Sequence, residues 1–264
     1  NIPSQVLALP VMAKQNKRSF EDQVGRYLVN QGCFEVINNP FTDFEGKDAI
    51  AVDNPLDKQR AMLRTCLMNS IRTNIAYNQN RQKDSIKFFE FSDIYKISGT
   101  ERRFALAISG RVNKNAKEFN AQMDYGHLKG MVNSICTDIL KIQPTFKLTD
   151  KCGYDFYETL TLKGSEIGGL GKISKETIDS KVKTPVFACE LTVDALEVPD
   201  NQFVHTSDFP ASYRDLSFSL SDLEKVGTLT ELVNTTTENC DLLTESFIFD
   251  FFQNKKLNLL KLGF

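Results

Sequence analysis

The chain has 264 residues, 41 % hydrophobic and 25 % charged, a profile of a soluble globular protein with room for one large or two ordinary domains. With 32 basic against 34 acidic residues the net charge is −2, which excludes bulk attraction to nucleic acid and requires any RNA contact to be local. Six cysteines without CxxC spacing, and two histidines with no cysteine at ligand-like spacing, argue against a metal site or a disulfide framework. The absence of an apolar run of about 18 residues, or of an apolar leader, argues against membrane and secretion, so a cytoplasmic protein with reduced thiols is expected.

The chain opens on an uncapped apolar segment, VLALPVMA after Asn1-Ile2-Pro3, which reads as the end of a preceding domain. Ser19-Phe20-Glu21-Asp22 is a capping-box-like start for a helix over 20–31, with Phe20, Val24, Tyr27 and Leu28 on one face and Gly32 as a left-handed stop. Phe34 to Phe41 reads as a strand ending at proline. After the Asn54-Pro55 turn, Asp57 is placed to cap a helix whose Leu63, Leu67, Ile71 and Ile75 recur at i+4. Lys87 to Tyr95 is too densely apolar for a strand with one wet face, and Arg103 to Gly110 is expected to pair with it across Ser98-Gly99.

Residues 111–122 are polar and aperiodic, a surface loop. Asp124 then caps a helix with Leu128, Met131, Val132, Ile135 and Ile139 inward, on which Lys129 is expected to be solvated or snorkelling rather than catalytic, because no acidic or aromatic partner is fixed beside it. Residues 155–162 and 166–173 form a hairpin around Lys163-Gly164-Ser165. Gly168-Gly169-x-Gly171 lies inside its second strand, so close packing or a bulge is the expected role; a phosphate loop needs a helix opening at the glycines. A short helix from Ser174 and a strand over 186–193 follow, giving a mostly antiparallel sheet with helices packed on it. After a boundary near Pro199 the pattern is strand 215–220, helix 227–238, strand 246–252 and strand 257–264.

Asn54-Pro55-Leu56, the Leu63-Arg64-Thr65-Cys66-Leu67 run, Asn78 with Arg81, and Phe89-Glu90-Phe91 resemble the β subunit of bacterial-type phenylalanyl-tRNA synthetase. The family pattern there is NPL, LR-S-L, N-x-x-R and FE-G, with Ser92 standing where the family has glycine. Leu128-Lys129-Gly130 matches its L-K-G signature, and Phe209-Pro210 through Arg214-Asp215-Leu216-Ser217-Phe218 resembles the FP-x-x-x-RDLSF entry to its anticodon-binding domain. The resemblance runs over essentially the whole chain. It implies an α+β fold: an antiparallel sheet with flanking helices over 14–200, class II synthetase-like and inactive, then a ferredoxin-like βαββ(αβ) domain over 206–264 lacking its second helix and fourth strand. Residues 1–13 would close the preceding domain.

By the same resemblance, the chain is the non-catalytic β-subunit portion of phenylalanine–tRNA ligase, packing on the α subunit in an α2β2 heterotetramer and recognising the anticodon of tRNA(Phe). The helix–strand unit bearing Phe20, Val24, Tyr27 and Leu28 resembles class II motif 1, which implies a subunit contact. Phe249-Asp250-Phe251-Phe252 resembles the family's FD-x-Y, which implies an RNA site: Asp250 accepts from a guanine, Phe252 stacks, Asn254 stands for a glycine, and Lys255 and Lys256 meet phosphate. Arg214-Asp215 is expected to be a structural pair fixing the first strand of this domain.

No catalytic residue is assigned. The motif 2 strand offers Glu90 without an arginine, and GGLG is followed by Lys172-Ile173-Ser174 in place of the motif 3 arginine, so ATP and magnesium belong to the α subunit and no cofactor is expected in this chain. Two other readings stay open: a single-chain organellar synthetase, which needs those arginines, and a stand-alone RNA-binding or regulatory paralogue, which fails if the chain purifies with an α subunit.

Overall fold

In the computed structural model the described residues are 20–44, 46, 48–112, 121–193, 196, 198–199, 208–220, 225–237, 240, 242–243, 246–254 and 257–263. The opening apolar segment, the Ser19 cap, Lys255 and Lys256 lie outside them. The chain divides into two compact units, Asn1–Asp200 and Asn201–Phe264.

The first unit begins with helix α1 (Phe20–Asn30), which buries Phe20, Val24 and Leu28 at i, i+4 and i+8. It ends in a Schellman motif: Cys33 N–H reaches Leu28 O at 2.9 Å, Gly32 N–H reaches Val29 O at 2.9 Å, and Gly32 takes φ 77°. Two short strands follow, β1 (Phe34–Glu35) and β2 (Phe41–Thr42), where the sequence predicts one. Between them Asn38 turns its side chain onto Glu90 (2.7 Å), and the chain leaves the sheet to make that bond.

Strand β3 (Met62–Leu63) pairs with β2, and helix α2 runs over Met68–Gln79. Asp57 stands at the N-cap of a short 3-10 helix over Lys58–Arg60, without a side-chain cap hydrogen bond, and the α-helix expected from there starts ten residues later, at Met68. The reason is backbone commitment: residues 62 and 63 are in a strand ladder, Arg64 N–H donates to Pro40 O at 2.8 Å, and Arg64 O accepts from Tyr95 N–H at 2.9 Å. The apolar stripe survives from Leu67 onward, with Leu67, Met68, Ile71 and Ile75 buried, each contributing about 1.5–3 kcal/mol of gross burial.

Strands β4 (Ser85–Lys96) and β5 (Gly99–Gly110) form a long antiparallel hairpin, as expected from their apolar density. Helix α3 (Tyr125–Ser134) has a reciprocal cap in which Asp124 Oδ1 accepts from His127 N–H (3.1 Å) and His127 Nδ1 accepts from Asp124 N–H (3.2 Å). It continues as a π turn over Ile135–Ile139. Strands β6 (Thr145–Thr149), β7 (Tyr154–Leu162), β8 (Ser165–Ile173) and β9 (Val186–Thr192) complete the unit. The β7–β8 bend is a two-residue turn with positive φ at Lys163 (48°) and Gly164 (80°), the type I′ geometry that matches strand twist.

The seven-stranded sheet has the order β1-β4-β5-β9-β8-β7-β6, parallel at β1–β4 and antiparallel elsewhere. Central β5 sends Phe104, Leu106 and Ile108 into a core shared with α1 and α3, and Ala105 and Ala107 into a second core under α2. Small side chains on the second face (Ala105, Ala107, Ala188) let α2 lie close to the sheet. No described helix is long and apolar enough to cross a membrane.

The second unit contains β10 (Asp215–Leu220), α4 (Lys225–Thr237), β11 (Phe247–Asn254) and β12 (Leu257–Gly263), close to the expected bounds. Its sheet has the order β10-β12-β11 and both pairings are antiparallel.

Candidate functional site

Strand β4 carries Glu90 without an arginine of its own, as the sequence predicts, but Arg64 reaches it from the segment before α2. Arg64 Nη1 lies 2.9 Å from Glu90 Oε1, and the two side chains are 4 % and 1 % exposed. Arg64 Nε donates to Asp93 O (3.0 Å) and Nη2 donates to Ser92 Oγ. Asn38 supplies its backbone N–H (3.3 Å) and Nδ2 (2.7 Å) to Glu90, and Asn74 Nδ2 in turn donates to Asn38 Oδ1 (2.9 Å). All three guanidinium nitrogens are thus spent on the protein. Ser92, at the position of the family glycine, supplies one of the acceptors. The sequence signal was the LRT run itself, misplaced on a helix that begins after it.

Beyond this knot, on the α2 face of the sheet, is a cavity of about 370 Å³ bordered by Cys66, Arg103, Lys151, Tyr157, Glu166 and Glu190. β5 contributes Arg103, β9 contributes Glu190, and β8 contributes Glu166. Arg103 is oriented by Glu101, with Nε 3.1 Å from Oε2, and Lys151 Nζ donates to Tyr157 OH at 3.0 Å over the ring. Glu190 Oε1 accepts from Leu67 N–H at 3.3 Å. Burial pushes the Glu190 carboxyl above the usual carboxylate range, against the pull of that N–H, Arg103 and Lys151. Burial likewise lowers the Lys151 ammonium and raises the Tyr157 phenol. None of these residues was singled out from the sequence, because they come from segments up to 124 positions apart and share no local motif. Gly168, Gly169 and Gly171 lie within β8, and a Cβ on any of them would run into the neighbouring strand backbone, so they serve close packing as expected. Among the described residues no group of three potential ligands is placed to hold a metal ion.

Lys129 has the acidic and aromatic partners that its sequence neighbours do not supply: Nζ lies 2.6 Å from Glu158 Oε2 and 4.4 Å from the Phe146 ring centroid, and Tyr125 OH donates to the same carboxylate oxygen. The pair ties α3 to β7. Lys129→Ala is expected to lower stability by about 1 kcal/mol, discounted for an ammonium still about a third exposed, with part recovered by Lys129→Met, which keeps the stem. Urea unfolding midpoints at neutral pH would check this; an unchanged midpoint would show the contact to be energetically idle.

The residues expected at a subunit contact are spent within this chain. Phe20, Val24 and Leu28 are buried and Tyr27 is partly buried against the same core, beside Phe89 and Phe104. An amphipathic helix has one apolar face, and here the sheet of its own chain covers it. In the second unit Asp250 is exposed on β11 and stands opposite Lys261, next to a register break after Ile248. Phe252 and Asn254 lie further along the same strand. Phe247 and Phe249, each 45 % exposed, bring their ring centroids to 6.4 Å, an aromatic surface that the sequence reading assigned to Phe252 alone. Arg214 Nη1 donates to Tyr213 O (2.8 Å), and among the described residues no ion pair joins it to Asp215, so the expected structural pair is not seen there.

Residues 2–193 match the family model described as the phenylalanyl tRNA synthetase beta chain CLM domain. The phenylalanine–tRNA ligase beta subunit of Mesoplasma florum is 25 % identical over 266 residues, covering 93 % of this chain and 33 % of that protein. That of Francisella tularensis is 24 % identical over 256 residues, covering 89 % and 31 %. The chloroplastic protein of the same name from Porphyra purpurea is 22 % identical over 262 residues, covering 92 % and 36 %. The chain spans about a third of the length of these curated relatives. Among solved structures, pyrrolysyl-tRNA synthetase from Desulfitobacterium hafniense superposes with a TM-score of 0.52 over 66 % of this chain and 65 % of that one, at 13 % identity. That likeness speaks to the class II synthetase-like sheet alone.

Proposed function

We propose, from the premise that this chain belongs to the phenylalanyl-tRNA synthetase beta chain CLM domain family, that it is the non-catalytic β-subunit portion of a phenylalanine–tRNA ligase. It packs on an α subunit in an α2β2 assembly and meets the tRNA anticodon through its second unit. The observation that carries the non-catalytic assignment is the closed arginine. Amino-acid activation needs donors aimed at phosphate, and Arg64 has every guanidinium nitrogen committed to Glu90, Ser92 and Asp93. The sheet's cavity does not substitute for it, since a triphosphate brings several negative charges and the two cations there face two carboxylates. ATP and magnesium chemistry therefore fall to the partner subunit.

Contact with that subunit falls to surfaces of the first unit other than the buried face of α1. The RNA reading is supported by the split strand order of the second unit: α4 connects β10 to β11 and β12 lies between them, which fits the first part of a ferredoxin-like unit with domain bounds near 206–264. On the edge strand of that sheet, Phe247 and Phe249 offer faces for stacking and Asp250 a carboxylate for a base edge, with Phe252 and Asn254 further along the strand; by the family resemblance Lys255 and Lys256 would meet phosphate.

One experiment tests both halves. Amino-acid-dependent ATP–pyrophosphate exchange is expected to be absent for this chain alone. It should become phenylalanine-specific when the β subunit containing this chain is assembled with purified α subunit. In that assembly Asp250→Ala should raise KM for tRNA about tenfold, from a lost base contact of about 1–3 kcal/mol, and leave exchange unchanged. Exchange by the isolated chain would overturn the non-catalytic reading, and an equal fall in exchange would remove Asp250 from the RNA site.

A further inference from the structure

The α2-face cavity carries an inference that does not depend on the subunit reading. Its charged groups are opposite in sign, share one space, and are not joined to one another. Arg103 and Glu190 lie diagonally on neighbouring strands, since Ala105 is the residue opposite Glu190 and Arg103 is two positions before it on the same face. Yet Arg103 makes its ion pair with Glu101, Lys151 gives its hydrogen bond to Tyr157, and Glu190 takes its hydrogen bond from Leu67 N–H. No ion pair links Glu190 or Glu166 to Arg103 or Lys151 among the described residues. A folded chain that only needed to neutralise these charges would bring them into contact.

We propose that this cavity binds a small zwitterion of the α-amino-acid class, its carboxylate held by Arg103 and Lys151 and its ammonium by Glu190 and Glu166. Both poles are present and the net charge of the lining is balanced, which disfavours a simple anion or cation. A volume of about 370 Å³ lies near the lower end of small-molecule sites and admits an amino acid. Burial costs Glu190 and Lys151 part of their charged forms, and a bound ammonium and carboxylate would each restore what desolvation removes.

The test uses the 264-residue chain and the free proteinogenic L-amino acids at millimolar concentration, screened by saturation-transfer NMR, with responders titrated by calorimetry. At least one should bind saturably. Its N-acetyl derivative and its carboxamide should each bind at least tenfold more weakly, a change of about 1.4 kcal/mol. Glu190→Gln should weaken the free amino acid while narrowing its advantage over the N-acetyl form, and Lys151→Met should do the same for the carboxamide. Absence of binding by every free amino acid, or equal affinity for the blocked derivatives, would overturn the proposal. Because the derivative comparison is made on the unsubstituted chain, it decides the question even if Glu190→Gln fails to fold.

Discussion

Arg64→Ala is expected to lower the unfolding free energy by about 3–5 kcal/mol, seen as a large fall in the urea midpoint of the isolated chain. The magnitude follows from what is left behind. Glu90 is 1 % exposed, and without Arg64 its charge keeps only the two Asn38 donors inside a low-dielectric core. Ser92 Oγ and Asp93 O lose their donors in the same step. Glu90→Leu combined with Arg64→Met should recover much of the loss, because removing both charges also removes the desolvation cost that only the pair could offset. If the single and double variants were equally unstable, the knot would be acting through shape rather than charge.

The same knot shows why part of the molecule was legible and part was not. The features read correctly obey local rules. Asp124 caps α3 through a residue three positions on, Lys163-Gly164 sets a two-residue turn, Gly32 stops α1, and the density of phenylalanine in β4 follows from cover on both faces. The failures are contacts at long sequence separation. Arg64 meets Glu90 across 26 positions and Lys129 meets Glu158 across 29, and neither spacing leaves a periodic trace. Leu63 is the instructive error: it keeps the i+4 spacing of the α2 stripe, but its backbone pairs with Phe41, and a tertiary ladder overrides a helical period. The candidate cavity was invisible for the same reason, since five separate segments converge on it and none carries a motif.

Gly168→Ala should be as damaging as Arg64→Ala, for two reasons that add. The residue sits at φ 138°, a conformation that L residues rarely adopt, which costs of the order of 1–3 kcal/mol. A Cβ placed there would also be driven into the carbonyl oxygen of Glu190 on β9, and backbone, unlike a flexible side-chain end, cannot step aside without breaking the β8–β9 ladder. The adjoining irregularity between Leu160 and Thr161 in the β7–β8 register is the bulge that calls for this backbone geometry. Gly130→Ala provides the opposite sign in the same protein. Gly130 lies inside α3, has nothing within 4 Å of an added Cβ, and should gain about 0.5–1 kcal/mol from the better helix former. Thermal unfolding of the two variants beside the parent chain would separate them. Should Gly168→Ala melt with the parent, the β9 backbone would have to yield at Glu190, contrary to the clash argued for it.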